Sequence, residues 1–169
     1  MATHQISIFG ALRPDTSGRA FFEPYDVKAT NDLFKHFVGV LNDPSAAQAH
    51  GFYGRFLVPQ NYVGSAVIKP VWTSTATTGN VKLDFDYRAI GGDDAESLDQ
   101  GTFQESLTVT DAAPSAAHER NVPSLSMTSS NLAAGDTVLF YVTREDGSGT
   151  DTMAAAAILH DLLFEYADA

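Results

Sequence analysis

The chain has 169 residues, 44% of them hydrophobic, with a net charge of -11 and no cysteine. That is enough apolar material to fill one core, which excludes a disordered chain, and the missing thiols exclude disulfides, thiolate nucleophiles and Cys-based zinc sites. Residues 1 to 60 carry five Lys/Arg against five Asp/Glu, whereas residues 61 to 169 carry five against sixteen, so the second part repels nucleic acid and anionic membrane and neither is expected as a partner. No apolar run approaches a membrane span, and Met1-Ala2-Thr3-His4 lacks the basic start and apolar core of a signal peptide; a soluble protein without a secretion signal is expected.

Residues 1 to 30 mix apolar pieces (Ile6, Ile8, Phe9; Ala20, Phe21, Phe22) with turn formers (Gly10, Pro14-Asp15, Ser17-Gly18, Pro24). This composition predicts an extended N-terminal arm with short strands, followed by a β-sandwich domain over 31–169. An arm that cannot bury itself needs a partner, which makes Ile6, Ile8, Phe9, Phe21 and Phe22 the candidate partner-binding anchors. From Thr30 to Leu41 two patterns compete. Leu33, Phe34, Phe37, Val38 and Leu41 have helical spacing, yet Phe37-Val38-Gly39-Val40-Leu41 before Asn42-Asp43-Pro44 suits a buried strand, and strand is favoured.

Gly51 to Val58 reads as an aromatic-rich strand stopped by Pro59. Ala66 to Trp72 follows and leads through a Thr/Ser/Gly turn into Asn80 to Ala89, where apolar side chains occupy every odd position; a hairpin is expected. Pro70 cannot donate to a ladder, which places its strand at an edge or a bulge. After the acidic loop Gly91 to Asp99, strands are expected at 102–110, 124–128 and 137–144, with turn chemistry at Asn131 to Asp136. At the C-terminus, Ile158, Leu159, Leu162, Leu163 and Tyr166 would form a helical stripe, whereas Ile158, His160, Leu162, Phe164 and Tyr166 would line one face of a strand. Strands separated by turns, without alternating helices, predict an all-β fold: an antiparallel jelly-roll-like β-sandwich.

Catalytic chemistry finds little footing. His4, His36, His50, His118 and His160 never occur as HxH, HxxH or HExxH, so no local metal pair is offered; only a cluster assembled from distant segments stays open. Asp93, Asp94, Glu96 and Asp99 would suit calcium but lack the Asp-x-Asp-x-Asp-Gly order, and a solvated loop is the simpler reading. Asp84 and Asp86 stand about 7 Å apart on one strand face, a spacing compatible with acid-base work but ordinary on a wet sheet. Gly147-Ser148-Gly149 is neither a nucleophile elbow nor a phosphate loop and reads as a hairpin loop. No catalytic residue, metal or cofactor is expected. Tyr53, Tyr62 and Trp72 are the candidate glycan-binding residues, with Tyr87 and Tyr141 further rings that could stack on a sugar, although alternation sends many of the five toward the core.

Three stretches, "GFYGRFLVPQNYVGSAVIKPVWTSTATTGNVKLDFDYRAI", "NLAAGDTVLFYVTREDGSGTD" and "AAAAILHDLLFEYAD", resemble the jelly-roll-type β-sandwich virion proteins of tailed bacteriophages. The resemblance covers about residues 51 to 168. It implies a strand ending in Pro59-x-Asn61-Tyr62, a hairpin through Ala76 to Gly79, a Gly135-Asp136 turn, and a closing strand rather than a helix up to Tyr166. The expectation is a non-enzymatic structural protein made in the host cytoplasm and carried on the virion. It would be a homotrimeric capsid decoration protein binding the major capsid protein or other virion proteins on the head surface. The alternative is a glycan-binding or receptor-binding module of a head fibre or tail component.

Overall fold

In the computed structural model, which describes residues 2–25, 36–42, 50–91, 96–145 and 149–168, the alternation over 80–89 is a strand. Val81, Leu83, Phe85 and Tyr87 are buried, and Lys82, Asp84, Asp86 and Arg88 face the wet side. The described strands are β1 (Thr3–Ser7), β2 (Arg13–Pro14), β3 (Ala20–Pro24), β4 (Phe37–Leu41), β5 (His50–Leu57), β6 (Tyr62–Thr73), β7 (Asn80–Ile90), β8 (Glu105–Ala112), β9 (Leu125–Ser126), β10 (Thr137–Arg144) and β11 (Ala157–Asp168). One sheet has the order β3-β4-β11-β6-β9, with β1 beside the second half of β11; the other has the order β2-β5-β10-β7-β8. Every pairing is antiparallel, and the architecture is the expected jelly-roll β-sandwich. No helix among the described residues is long and apolar enough to cross a membrane.

Aromatic rings fill the space between the sheets: Phe56 lies 4.8 Å from Phe164 of the opposite sheet, and Phe85 stacks on Phe140 of its own sheet at 5.1 Å. Each large side chain buried in this way contributes about 1.5–3 kcal/mol. A Cβ on Gly54 would stand 2.3 Å from the Phe140 ring, so β5 must be bare there for the ring to lie over its backbone.

The N-terminal arm is extended, but its own chain covers it. β1 pairs Ile6 with Phe164, β2 pairs with β5, and β3 pairs with β4. Ile8, Leu12 and Ala20 belong to the main core, and Ile6, Phe9 and Phe22 pack against it. Phe21 packs on a second cluster of Val38, Val40 and Ile158. The expectation that the arm cannot bury itself is therefore corrected: strand pairing satisfies this backbone and the sandwich takes up its side chains. Residues 26–30 lie outside the described residues, as do 31–35 of the ambiguous segment, of which 37–41 is a strand.

Two expected hairpins are also corrected. β6 and β7 lie in different sheets, as do β10 and β11, because each partner buries its apolar face against the other across the core. The turn through Gly79, whose φ is +90°, crosses from sheet to sheet. The C-terminal segment is a strand with partners on both sides, and it carries a register shift between Leu159 and Asp161, beside Pro70 on β6. The shift changes its face: Leu159, Leu162, Phe164 and Tyr166 enter the main core, while Ile158 joins the outer cluster.

Candidate functional site

Alternation decides which side chains reach the outer face of the β2-β5-β10-β7-β8 sheet. On β5, Phe52 and Phe56 turn inward, so Tyr53, Arg55 and Leu57 turn outward; on β10, Val138, Phe140 and Val142 turn inward, which leaves Leu139 and Tyr141 outside. Register then aligns them. Arg13, Tyr53, Tyr141, Asp86 and Ser106 form one row across the sheet, and Arg55, Leu139 and Arg88 form the next.

Tyr53 is 51% exposed and stacks on Tyr141 at 4.1 Å with planes 15° apart, so one ring face is supported and the other is open. The Tyr141 hydroxyl donates to Asp15 Oδ2 at 2.8 Å, and that oxygen also accepts from the Gly51 N–H at 2.8 Å. The Ser17 N–H donates to Asp15 Oδ1 at 2.9 Å. Burial pushes the Asp15 carboxyl up, but the bonds from Ser17, Tyr141 and Gly51 outweigh it and hold its pKa below the ordinary value. Burial and the Asp15 carboxylate raise the pKa of the Tyr141 hydroxyl far above its usual range, which keeps it a donor.

Tyr53 and Leu139 line two adjoining clefts. The first, of about 310 Å³, is closed by Arg88, Thr102 and Phe103; the second, of about 700 Å³, opens past Arg13 and Arg55. Phe103 is 54% exposed. Arg88 Nη1 donates to the Thr102 carbonyl and hydroxyl, both at 3.3 Å. On the far side of the row, Asp84 accepts from the Thr108 hydroxyl at 2.6 Å. Burial raises the Asp86 pKa, the bond from the Ser106 hydroxyl opposes it, and the Asp84 charge adds to the rise. The result is a groove with an aromatic floor, cations at one flank and carboxylates at the other.

Of the three expected glycan-binding rings, only Tyr53 stands at this surface. Trp72 is fully buried and donates its Nε1–H to Asp111 Oδ2 at 2.9 Å, and Tyr62 is 8% exposed with its hydroxyl donating to the Ser129 carbonyl at 3.3 Å. Neither offers a ring face to a ligand, because β6 turns both positions into the sandwich. Tyr87 is buried too and donates to Glu105, which also accepts from the Thr128 N–H at 3.0 Å. Arg13, Arg55 and Arg88 were not singled out in the sequence. Alternation around Tyr53 and along β7 places two of them outside, but only the register brings the three together.

A second cluster joins distant segments. His36 Nε2 and His160 Nδ1 lie 2.9 Å apart, the Thr73 hydroxyl is 2.9 Å from His160 Nε2, and the Tyr25 hydroxyl is 2.9 Å from His118 Nδ1. Burial pushes the His160 pKa down to about 4, with the His36 and His118 charges adding to the shift. No group of three or more His, Cys, Asp or Glu among the described residues is placed to hold a metal ion. Asp93, Asp94, Gly147 and Ser148 lie outside the described residues.

No family model and no curated protein matches the sequence. Solved structures match the fold. The CBM22-1 xylan-binding domain from Paenibacillus barcinonensis Xyn10C is 12% identical over 99% of this chain and 94% of that one, with a TM-score of 0.53. CBM35 from Cellvibrio japonicus Abf62 is 11% identical over 99% of both chains, with a TM-score of 0.54. An arabinose-bound MgGH51 α-L-arabinofuranosidase is 10% identical over 92% of this chain and 23% of that one, with a TM-score of 0.53. At these identities the similarity establishes the sandwich architecture.

Proposed function

We propose that this chain is a non-catalytic carbohydrate-binding module whose ligand lies across the outer face of the five-stranded sheet. The observation that carries the reading is Tyr53, an exposed ring held flat by Tyr141 and flanked by polar side chains. A pyranose ring has an apolar C–H face and a rim of hydroxyls. An exposed tyrosine covers the face, while Asp86, Arg88 and Thr102 meet the rim. Asp84 and Asp86 are engaged by Thr108 and Ser106 on one strand face rather than placed on opposite sides of a cleft, which favours recognition over hydrolysis. The shared fold of the xylan-binding domain and the CBM35 module supports the same reading.

The setting proposed with it is the head fibre or tail of a tailed bacteriophage, whose virion sandwiches the chain resembles. A cement role resting on a free arm has less support, since Ile8 is buried and Ile6, Phe9, Phe21 and Phe22 pack within the chain. For contacts with sister subunits or the major capsid protein, Phe37 and Leu57, 66% and 65% exposed, remain available. A glycan array probed with the wild type and with Tyr53→Ala tests the function: binding that disappears in the variant supports it, and an array without hits overturns it.

A further inference from the structure

The charge of the groove points to the kind of sugar. Of the cationic side chains among the described residues, Lys69, Lys82 and Arg144 are paired with Glu165, Glu145 and Asp151. Five described arginines, Arg13, Arg19, Arg55, Arg88 and Arg120, make no ion pair with any described carboxylate, although the chain carries a net charge of -11, and those at 13, 55 and 88 gather on one face. All three line the clefts that meet at Tyr53. Arg55 and Arg88 flank Leu139 in a single cross-strand row, so their strands stand about 10 Å apart. Two long guanidinium side chains at that spacing can close on one anionic group above Leu139, next to the ring that carries the sugar.

We infer that the module binds an acidic sugar, a uronate whose carboxylate is held by Arg55 and Arg88 while its ring stacks on Tyr53. The inference rests on the carbohydrate-binding reading of the same face and narrows it. A carboxylate presents two coplanar oxygens that match the planar fork of arginine, whereas a sulfate ester of the same single charge presents three oxygens in a pyramid. Asp84 and Asp86, across the row from the arginines, are placed for sugar hydroxyls and not for the anion. Arg13, at the open end of the second cleft, is placed for the carboxylate of a neighbouring unit.

The test is titration calorimetry of the full chain with polygalacturonate, alginate and hyaluronate, each also after carboxyl reduction to its neutral form, with a sulfated galactan as a further arm. The expected result is binding to at least one polyuronate that falls about tenfold on carboxyl reduction, about tenfold in Arg88→Met and in Arg55→Met, and further at raised salt. Tyr53→Ala should abolish it. Equal binding of acid and reduced forms, or arginine variants that keep full affinity, overturns the acidic-sugar assignment and leaves the carbohydrate reading standing. Binding to the sulfated galactan in place of every polyuronate overturns the carboxylate. Binding to no polymer, charged or neutral, overturns both readings.

Discussion

The hydroxyl of Tyr141 donates to Asp15 Oδ2 at 2.8 Å across 126 positions of sequence, tying a ring of a central strand to the turn that follows edge strand β2. Tyr53 rests on that ring. Asp15→Ala is therefore expected to weaken sugar binding about tenfold without touching the ligand, by releasing Tyr141 and the support under Tyr53. Calorimetry with Asp15→Ala beside Tyr141→Phe checks it. Both variants should lose affinity, and unchanged affinity in both would show that Tyr53 needs no support.

Trp72→Phe should leave sugar binding intact and cost about 1–3 kcal/mol of stability, because it removes a buried bond to Asp111 and leaves that carboxylate without its donor. Urea unfolding together with the glycan array separates the two effects.

Arg144 and Asp151, with side chains 0% and 3% exposed, form a bidentate pair at 2.8 and 2.6 Å, and Arg144 also donates to the Ala155 carbonyl at 2.6 Å. Asp151→Asn should destabilise the fold by about 3–5 kcal/mol, since it removes a buried carboxylate charge from its bidentate pair with Arg144. The loss is read from the urea midpoint, and Arg144→Met combined with Asp151→Leu should restore part of it.

Burial holds the His160 pKa at about 4 in the folded protein, against about 6.5 for an ordinary histidine. Between these values the unfolded chain binds the proton and the folded chain does not, so stability falls as pH drops from 6.5 to 4 and is fully present above 6.5. The contribution is about 1–3 kcal/mol after allowance for partial exposure. Thermal melts from pH 7.5 to 4 should show this slope, and His160→Gln should flatten it.

Deleting residues 2–22 should unfold the sandwich rather than only free it from a partner, because Ile8, Leu12 and Ala20 leave the core and β11 loses β1. Loss of the cooperative melt in the truncated chain is the expected result.

The sandwich was legible where a strand has one wet face, as in β7 and β8. It was less legible at β11, where a one-residue shift between Leu159 and Asp161 reverses the phase of the pattern and places Ile158 and Leu162 in different clusters. The hairpins were misread because a turn sequence specifies how the chain reverses and not which sheet receives it. At the site, Tyr53 was legible as an aromatic residue on a strand. Trp72 has the same chemistry on the other parity, and composition alone cannot separate the two. Arg13, Arg55 and Arg88 become neighbours only through pairings of segments distant in sequence, which no local pattern records.

β8 borders its sheet with a row of backbone groups that no strand of the described chain covers. Its inward positions near the two ends are Glu105 and Asp111, one bound to Tyr87 and the other to Trp72. A second molecule sliding alongside would have to bury these carboxylates in a continuous two-chain sheet. The same acids that anchor the core aromatics therefore also discourage edge-to-edge polymerisation, and they keep this border from becoming a template for aggregation.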